Sequence, residues 1–468
     1  MAAPTTGPAT AAAPDDALRP PGSMRTVLAA SCAGTMIEWY DFFIFGSLAA
    51  IIAKQFFPTG NPTLGFLQTL ATFAVGFAIR PIGALVFGRW GDQRGRKRAF
   101  LTTLVLMGGS TAAIGLLPGY GRIGAIAPLA LVVLRLLQGF ALGGEYGGAA
   151  VYVAEHSPVG TRGYYTSYIY TTGTAGLLLS LLVILATRRT VGEAAFAAWG
   201  WRIPFLVSAI LVAISYYVRR RLEESPLFTE LKARGGTSDA PVRDTFGGSR
   251  WRFIATLLFG VLAGHAVIWY TGQFYALFFL QTVLHVPFGA AYAAVTIALV
   301  LGTPCFVFFG WLSDRTGRKP VIFTAFVLGA LTIYPVYHMM SAAARSGAGS
   351  GTPNVPVLAA LIFYQVVLAA MCTGPLGAFL VEAFPTRTRY TGVSFVHHTG
   401  TGWFGGFLPL VATALVARTG NPYAGLWYPI AVSAIVFCIG MLFVREPDVH
   451  ADARDDARVG GAVSVPAP

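Results

Sequence analysis

The sequence predicts an all-α membrane protein of twelve transmembrane helices in two pseudo-symmetric six-helix bundles, and three observations predict it. The composition is too apolar for a soluble chain: 55% of the 468 residues are hydrophobic, only 11% are charged, and the mean hydropathy is +0.63. The apolar residues form long continuous runs, without the alternation of barrel strands. A helix needs roughly 20 such residues to cross the hydrocarbon core with its backbone hydrogen bonds satisfied internally. A charged loop of the first half of the chain also returns in the second half with its register kept.

The runs fall at about 25 to 53, 66 to 87, 99 to 117, 126 to 152, 164 to 186 and 202 to 218 in the first half. In the second they fall at about 253 to 281, 287 to 310, 321 to 341, 355 to 381, 391 to 416 and 424 to 444. An even number of spans leaves both termini on one side. With the tails inside, inner loops and tails hold 24 of the 33 Lys and Arg residues, outer loops hold 7, and Arg80 and Arg135 lie within spans. The positive-inside rule therefore makes both termini cytoplasmic. Residues 1 to 22, rich in Ala, Pro and Thr and lacking the apolar core of a secretory signal, read as a disordered cytoplasmic tail. Residues 23 to 218 form the first bundle, 219 to 252 a charged cytoplasmic linker, 253 to 445 the second bundle, and 446 to 468 a second disordered tail.

The repeat is the stronger sign of two halves. Gly88-Arg-Trp-Gly-Asp92-Gln-Arg-Gly95-Arg96-Lys97 returns in the second half as Gly310-Trp-Leu-Ser-Asp314-Arg-Thr-Gly317-Arg318-Lys319. Glu155-His-Ser-Pro158-Val-Gly-Thr-Arg162 returns at nearly the same offset as Glu382-Ala-Phe-Pro385-Thr-Arg-Thr-Arg389. Both pairs sit in corresponding inner loops, so the halves share one orientation and a cavity between them is the natural place for a ligand.

Several function classes drop out. The basic residues occupy short loops and offer no face to a nucleic acid. Cys32, Cys305, Cys372 and Cys438 lie in apolar stretches without metal or redox spacing and read as small hydrophobes. No G-x-x-x-x-G-K-[ST] loop occurs, which argues against nucleotide-driven pumping, and no nucleophile, base or metal cluster suggests an enzyme.

The two Gly-x-x-x-Asp-x-x-Gly-Arg-Lys loops resemble the hallmark loop of the major facilitator superfamily. Within it, Met36-Ile-Glu38-Trp39-Tyr40-Asp41-Phe42, Arg135-Leu-Leu-Gln138-Gly139-Phe-Ala-Leu-Gly143-Gly144-Glu145 and Leu222-Glu-Glu-Ser225-Pro226-Leu-Phe228 resemble the metabolite:proton symporter family, over about residues 25 to 445. The resemblance implies the major facilitator fold and a secondary transporter, a symporter importing a small organic acid or zwitterion with protons by alternating access. The alternative within transport is a proton-coupled exchanger or exporter; a membrane-embedded enzyme or transceptor lies further off. Two departures narrow it. Only a short tail follows Arg445, without the heptads of osmosensing members. Thr171-Thr-Gly-Thr-Ala-Gly176 lacks the proline of the drug antiporters' fifth helix.

Candidate site residues follow from charge within spans. Glu38 and Asp41 sit three residues apart in the first span, on one face, where an ionised carboxylate costs about 2.5 to 3.5 kcal/mol and so marks an ion or substrate pathway. Two acids this close repel a second charge, which suits reversible protonation. Arg135 lies about 10 Å from the outer end of the fourth span, with Glu145 roughly 15 Å further in. A buried guanidinium needs an acceptor, either a substrate carboxylate or the acids of the first span, and Glu145 joins them on the proton path or in a buried pair. In the seventh span His265, Trp269 and Gln273 share one stripe, with Tyr270 and Tyr275 beside it. These seventh-span residues, Arg135 and Tyr40 are the candidate substrate contacts.

His397 and His398 are adjacent and point in different directions, so at most one faces the cavity, and packing is their expected role. Arg80 reads as half of a structural ion pair. Asp92, Arg96, Glu155, Arg162, Asp314, Arg318, Glu382 and Arg389 lie at inner helix ends, where the resemblance implies gate contacts that break as the halves rock. The expected cofactor is none, with protons as coupling ion. The expected partners are the lipid bilayer of a bacterial inner membrane and a carboxylate or zwitterion, with no nucleic acid, and the expected working unit is a monomer.

Overall fold

The computed structural model describes residues 24–158, 160–220, 229, 232–233, 240–247, 250–345 and 353–447. Residues 1 to 22, most of the 219 to 252 linker, residues 448 to 468 and the Arg96 side chain lie outside the described set.

Ten helices are long and apolar enough to cross a membrane, and two bent pairs raise the number to twelve. The first pair, α1, runs Val27–Ser47 and then Ala49–Phe56 with a 61° bend. Then come α2 (Pro62–Arg94), α3 (Lys97–Leu116), α4 (Ile126–His156) and α5 (Arg162–Val191). The second bent pair, α6 (Glu193–Gly200 and Arg202–Tyr217), turns by 63° at Trp201. The second half holds α7 (Arg250–Val283), α8 (Phe288–Thr316), α9 (Arg318–Arg345), α10 (Val355–Ala383), α11 (Thr386–Thr419) and α12 (Ala424–Phe443).

Lipid tails are as apolar as leucine, so close packing rather than water exclusion holds such helices together. Glycine supplies the closeness between α2 and α4. A methyl on Gly139 would lie 1.8 Å from the Gly76 carbonyl oxygen, and one on Gly83 would lie 2.0 Å from that of Phe140. Backbone therefore meets backbone at this crossing. Wider turns interrupt α7 at Tyr270–Tyr275 and α11 at Thr401–Gly406, both beside the centre of the molecule. Such π turns shift the side chains that follow them off the α-helical stripe.

Two segments outside the spans pack against the bundles. Within the linker, Pro241–Phe246 is a short helix whose Phe246 ring meets Phe395 of α11 edge-on at 4.8 Å. The tail expected to be disordered from residue 446 begins with an anchored residue. The Glu446 carboxylate accepts hydrogen bonds from the Arg318 amide and, at 2.8 Å, from the Lys319 amide, so it caps α9. The first amides of a helix have no partner of their own, and that demand fixes the acid.

Candidate functional site

The repeated charged loops meet the opposite half at one end of the molecule. Asp314, in the last turn of α8, accepts hydrogen bonds from the Gly163 and Tyr164 amides at 2.8 and 2.7 Å. These orphan donors stand at the positive end of the α5 dipole, so a carboxylate of the second half caps a helix of the first. The converse contact is also made: Asp92 of α2 accepts from the Thr391 amide at 3.2 Å and the Thr391 hydroxyl at 2.5 Å, in the first turn of α11. Tyr164 and Thr391 occupy equivalent positions of the repeat, each two places after its arginine, Arg162 or Arg389.

The acids of the second repeat exchange partners in the same way. Glu155 lies 3.7 Å from Arg389 across the halves, and Arg162 stands near enough to Glu382 to add its charge there. Arg318 joins the stations by holding Asp314 at 2.6 Å and Glu382 through two bonds of 3.0 and 3.2 Å. Gly163 and Gly310 sit face to face; a methyl on either would lie 2.5 Å from the other's carbonyl oxygen. Tyr390 donates to the Gly144 carbonyl at 2.5 Å beside them. This end is shut.

The far end is shut by different chemistry. Tyr292 of α8 donates to the Ser47 carbonyl at 2.8 Å, and the Arg188 guanidinium carbon lies 3.3 Å from the centre of the Phe288 ring. Phe66 and Phe278 meet edge-on at 5.8 Å. Between the two sets of contacts lies a narrow cavity at the junction of the halves. Trp39, Tyr170 and Gly173 line it from the first half, and His265, Trp269, Tyr270, Thr373, His397 and Thr401 from the second. Trp269 is held by stacking on Phe43 at 5.4 Å, and Thr373 meets the His265 Nδ1 at 3.2 Å.

Known proteins share this architecture and much of this sequence. The model of the family "Sugar (and other) transporter" matches residues 26–244, and that of the "Major Facilitator Superfamily" matches residues 257–466. The inner membrane metabolite transport protein YhjE of Escherichia coli (strain K12) is 35% identical over 91% of this chain and 95% of its own length. The chain belongs to the major facilitator superfamily, in its metabolite:proton symporter family. The shikimate transporter of Escherichia coli (strain K12) is 34% identical over 91% of this chain and 94% of its own. The citrate-proton symporter of Salmonella typhi is 32% identical over 88% and 92%. Among solved structures, the proton:xylose symporter XylE bound to 6-bromo-6-deoxy-D-glucose shares the fold, with a TM-score of 0.66 at 17% identity over 90% of this chain and 96% of that one.

In this facilitator the ionisable groups of the spans are distributed otherwise than the sequence suggests. Glu38 and Asp41 are buried, but neither lines the cavity; Trp39 of the same helix does. Asp41 points into the first bundle beside Ser208 of α6. Tyr40 also turns that way, donating to the Pro204 carbonyl at 2.6 Å, so it braces α1 on α6 and does not reach a ligand in the cavity. Glu145, also buried, accepts from the Thr103 hydroxyl of α3 at 3.0 Å. Arg135 donates to Gln138 at 2.7 Å and to neither acid of α1, while its guanidinium carbon lies 4.2 Å from the centre of the Phe42 ring and 4.4 Å from that of Phe45.

Of the seventh-helix stripe, His265, Trp269 and Tyr270 line the cavity. Gln273 instead accepts from the Thr174 hydroxyl of α5 at 2.9 Å and so links the halves. Sequence reasoning did not find Tyr170, Thr373 and Thr401, which carry no charge to mark them; of the adjacent histidines, at most one of which the helix lets face the cavity, His397 lines the wall. Arg80 is the larger correction: no described carboxylate pairs with it, and its guanidinium carbon lies 3.8 Å from the centre of the Phe77 ring and 4.2 Å from that of Phe42. Aromatic faces take the place of the expected acid.

Proposed function

We propose that this chain is a proton-coupled symporter that imports a small organic acid or zwitterionic metabolite across a bacterial inner membrane by alternating access. The observation that carries the reading is the cavity at the junction of the halves, with contacts between the halves at each end of the molecule. A cavity of that kind opens to one side when one set of contacts parts and the other holds. Relatives named for citrate, shikimate and proline or betaine supply the class of cargo.

Asp92, Glu155, Arg162, Asp314, Arg318, Glu382 and Arg389, with Arg96, form the cytoplasmic gate, and both termini lie on that side. The bundles run from 23 to 218 and from 253 to 445, joined by the 219 to 252 linker and flanked by cytoplasmic tails. Glu38, Asp41 and Glu145 carry the coupled proton inside the first bundle, so the proton site stands behind the cavity wall and acts on it through α1. His265, Trp269 and Tyr270 contact the substrate, with Arg135 supplying positive charge from behind. The protein works as a monomer in the bilayer without an organic cofactor.

The test is uptake of radiolabelled citrate, shikimate and glycine betaine into proteoliposomes under an imposed gradient, acidic outside. The expected result is accumulation of at least one probe above its equilibrium level, collapsed by a protonophore. Accumulation that a protonophore leaves intact would sink the coupling, and efflux of a probe driven by inward protons would favour the exchanger.

A further inference from the structure

We propose that Arg80 and the histidine wall opposite it form a clamp that grips a carboxylate of the substrate between the two halves. The proposal rests on the symporter reading above and narrows its cargo from acids or zwitterions to organic anions.

Arg80 is wholly buried on α2. The Tyr270 hydroxyl of α7 lies beside it, and His397 and His398 of α11 lie within reach of its charge. Its flat faces are shelved by Phe77, Phe42 and, at 5.4 Å, Trp39. Aromatic faces stabilise a cation but accept none of its N–H groups. Among the described residues, neither the three guanidinium nitrogens nor the Tyr270 hydroxyl completes a hydrogen bond of full geometry, though the two groups stand near enough to interact with each other. A dry guanidinium with most of its donors unspent is unfavourable unless an anion takes them.

The second cation makes the demand stronger. The guanidinium carbons of Arg80 and Arg135 each lie 4.2 Å from the centre of the Phe42 ring, so two like charges share one aromatic side chain. Among the described residues no carboxylate is paired with either. The cavity wall continues the pattern: its polar members are His265, His397, Thr373, Thr401 and the hydroxyls of Tyr170 and Tyr270, and no acid. Arg80 stands behind this lining, beside Tyr270; a carboxylate that reaches it meets a planar fork, which matches its two oxygens, and ring nitrogens or hydroxyls of the wall on the other side. The ammonium of a zwitterion finds no counter-charge on that wall and is repelled by the arginines behind it.

The clamp also spans the interface. Arg80 belongs to the first half and His397 and Tyr270 to the second, so an anion between them ties the halves at their centre. Its energy then favours the form in which both ends are shut.

The experiment uses full-length protein purified in detergent, titrated with citrate, 2-oxoglutarate or glycine betaine. Binding is read by thermal shift and by the fluorescence of Trp39 and Trp269, which line the cavity. The expected wild-type result is binding of at least one of the two anions and not of glycine betaine. Arg80→Gln should weaken that anion about a hundredfold, and Arg80→Lys, which keeps the charge but not the fork, about tenfold. His397→Gln should also weaken it, and it gives an independent reading should Arg80→Gln fail to yield monodisperse protein. Folded Arg80→Gln, or both Arg80→Lys and His397→Gln, binding the anion within about twofold of wild type would overturn the clamp. Glycine betaine binding more tightly than either anion would overturn the anion class while leaving the symporter reading standing. Wild-type protein that neither binds nor transports any of the three would overturn the parent reading itself.

Discussion

Asp314→Asn isolates the contact on which the cytoplasmic seal turns. Asparagine keeps the size of the side chain and one carbonyl acceptor but loses the charge. Of the contacts that Asp314 makes, the one to Arg318 lies within the second half and survives rocking, whereas the bonds from Gly163 and Tyr164 at 2.8 and 2.7 Å span the halves and break when this end opens. Only these two bias the equilibrium. A hydrogen bond to a charged group contributes about 1 kcal/mol more than a neutral one, and the dipole at a helix N-terminus adds about 0.5 to 1 kcal/mol. The substitution should therefore favour the open end by about 2 to 3 kcal/mol, a shift of roughly 30- to 150-fold in population.

Thr166 offers a reporter: it is buried between the halves, and a methyl on Gly377 would lie 2.8 Å from its Cβ. In a background with Cys32, Cys305, Cys372 and Cys438 replaced, Thr166→Cys should react slowly with a membrane-impermeant maleimide in inside-out vesicles, and much faster once Asp314→Asn is added. Uptake should fall, since external substrate binds only while the inner end is shut. Equal labelling rates with and without Asp314→Asn, in protein that still folds, would refute the reasoning.

Asp92→Asn should repeat that phenotype through Thr391 of α11, and a much weaker effect on the same labelling rate would show that the two repeats are not functionally equivalent. Glu38→Gln or Asp41→Asn should abolish uptake driven by a pH gradient while leaving membrane insertion and substrate counterflow intact; unchanged uphill uptake in both variants places the proton site elsewhere. Arg188→Gln removes the stacking on Phe288 at the far end, where a partly exposed cation that also pairs with Glu193 contributes about 0.5 to 1 kcal/mol, so labelling of cavity cysteines from outside should rise roughly two- to fivefold. Gly139→Ala forces a methyl to within 1.8 Å of the Gly76 carbonyl and should lower the melting temperature sharply, whereas Gly60→Ala, with open space around it, should leave it unchanged.

The spans and the repeat were legible because lipid leaves a chain few choices. Uncharged runs of helical length must cross, and the same Asp, Gly, Arg and Lys in one register stand out against an apolar background. Pairings were not legible. Asp314 caps α5 and Asp92 caps α11, contacts between residues far apart in the chain that depend on how the bundles face each other. For the same reason Arg80 was misread: the charge is visible in the sequence, but that aromatic rings rather than an acid surround it is a property of the assembled bundle. Tyr40 and Trp39 differ by one position, and a helix sends them some 100° apart, one to α6 and one to the cavity. Nothing in residue type separates them. Thr373 and Thr401 looked like ordinary small residues of spans, and the π turn at Thr401–Gly406 displaces the register on which a periodicity argument depends.

The two ends of the molecule are sealed by interactions that respond differently to water. At the end that holds the repeated loops carboxylates cap helix amides and pair with arginines, groups that hydrate well once exposed, so opening there exchanges strong internal contacts for strong hydration. At the far end the seal is one tyrosine hydroxyl, an edge-on aromatic pair and a single guanidinium on a ring, so less of it gains from water. Neither seal alone fixes the direction of transport. Direction comes from the gradients, and the two seals are linked through the centre, where Arg80 and Arg135 hold positive charge near a cavity whose lining contains no acid. Each half contributes one wall of that cavity, so a bound anion stabilises the form shut at both ends, and an empty cavity leaves the two arginines facing each other's charge. A symporter must still return empty, so the doubly shut form stays reachable without substrate, and anion binding raises its population.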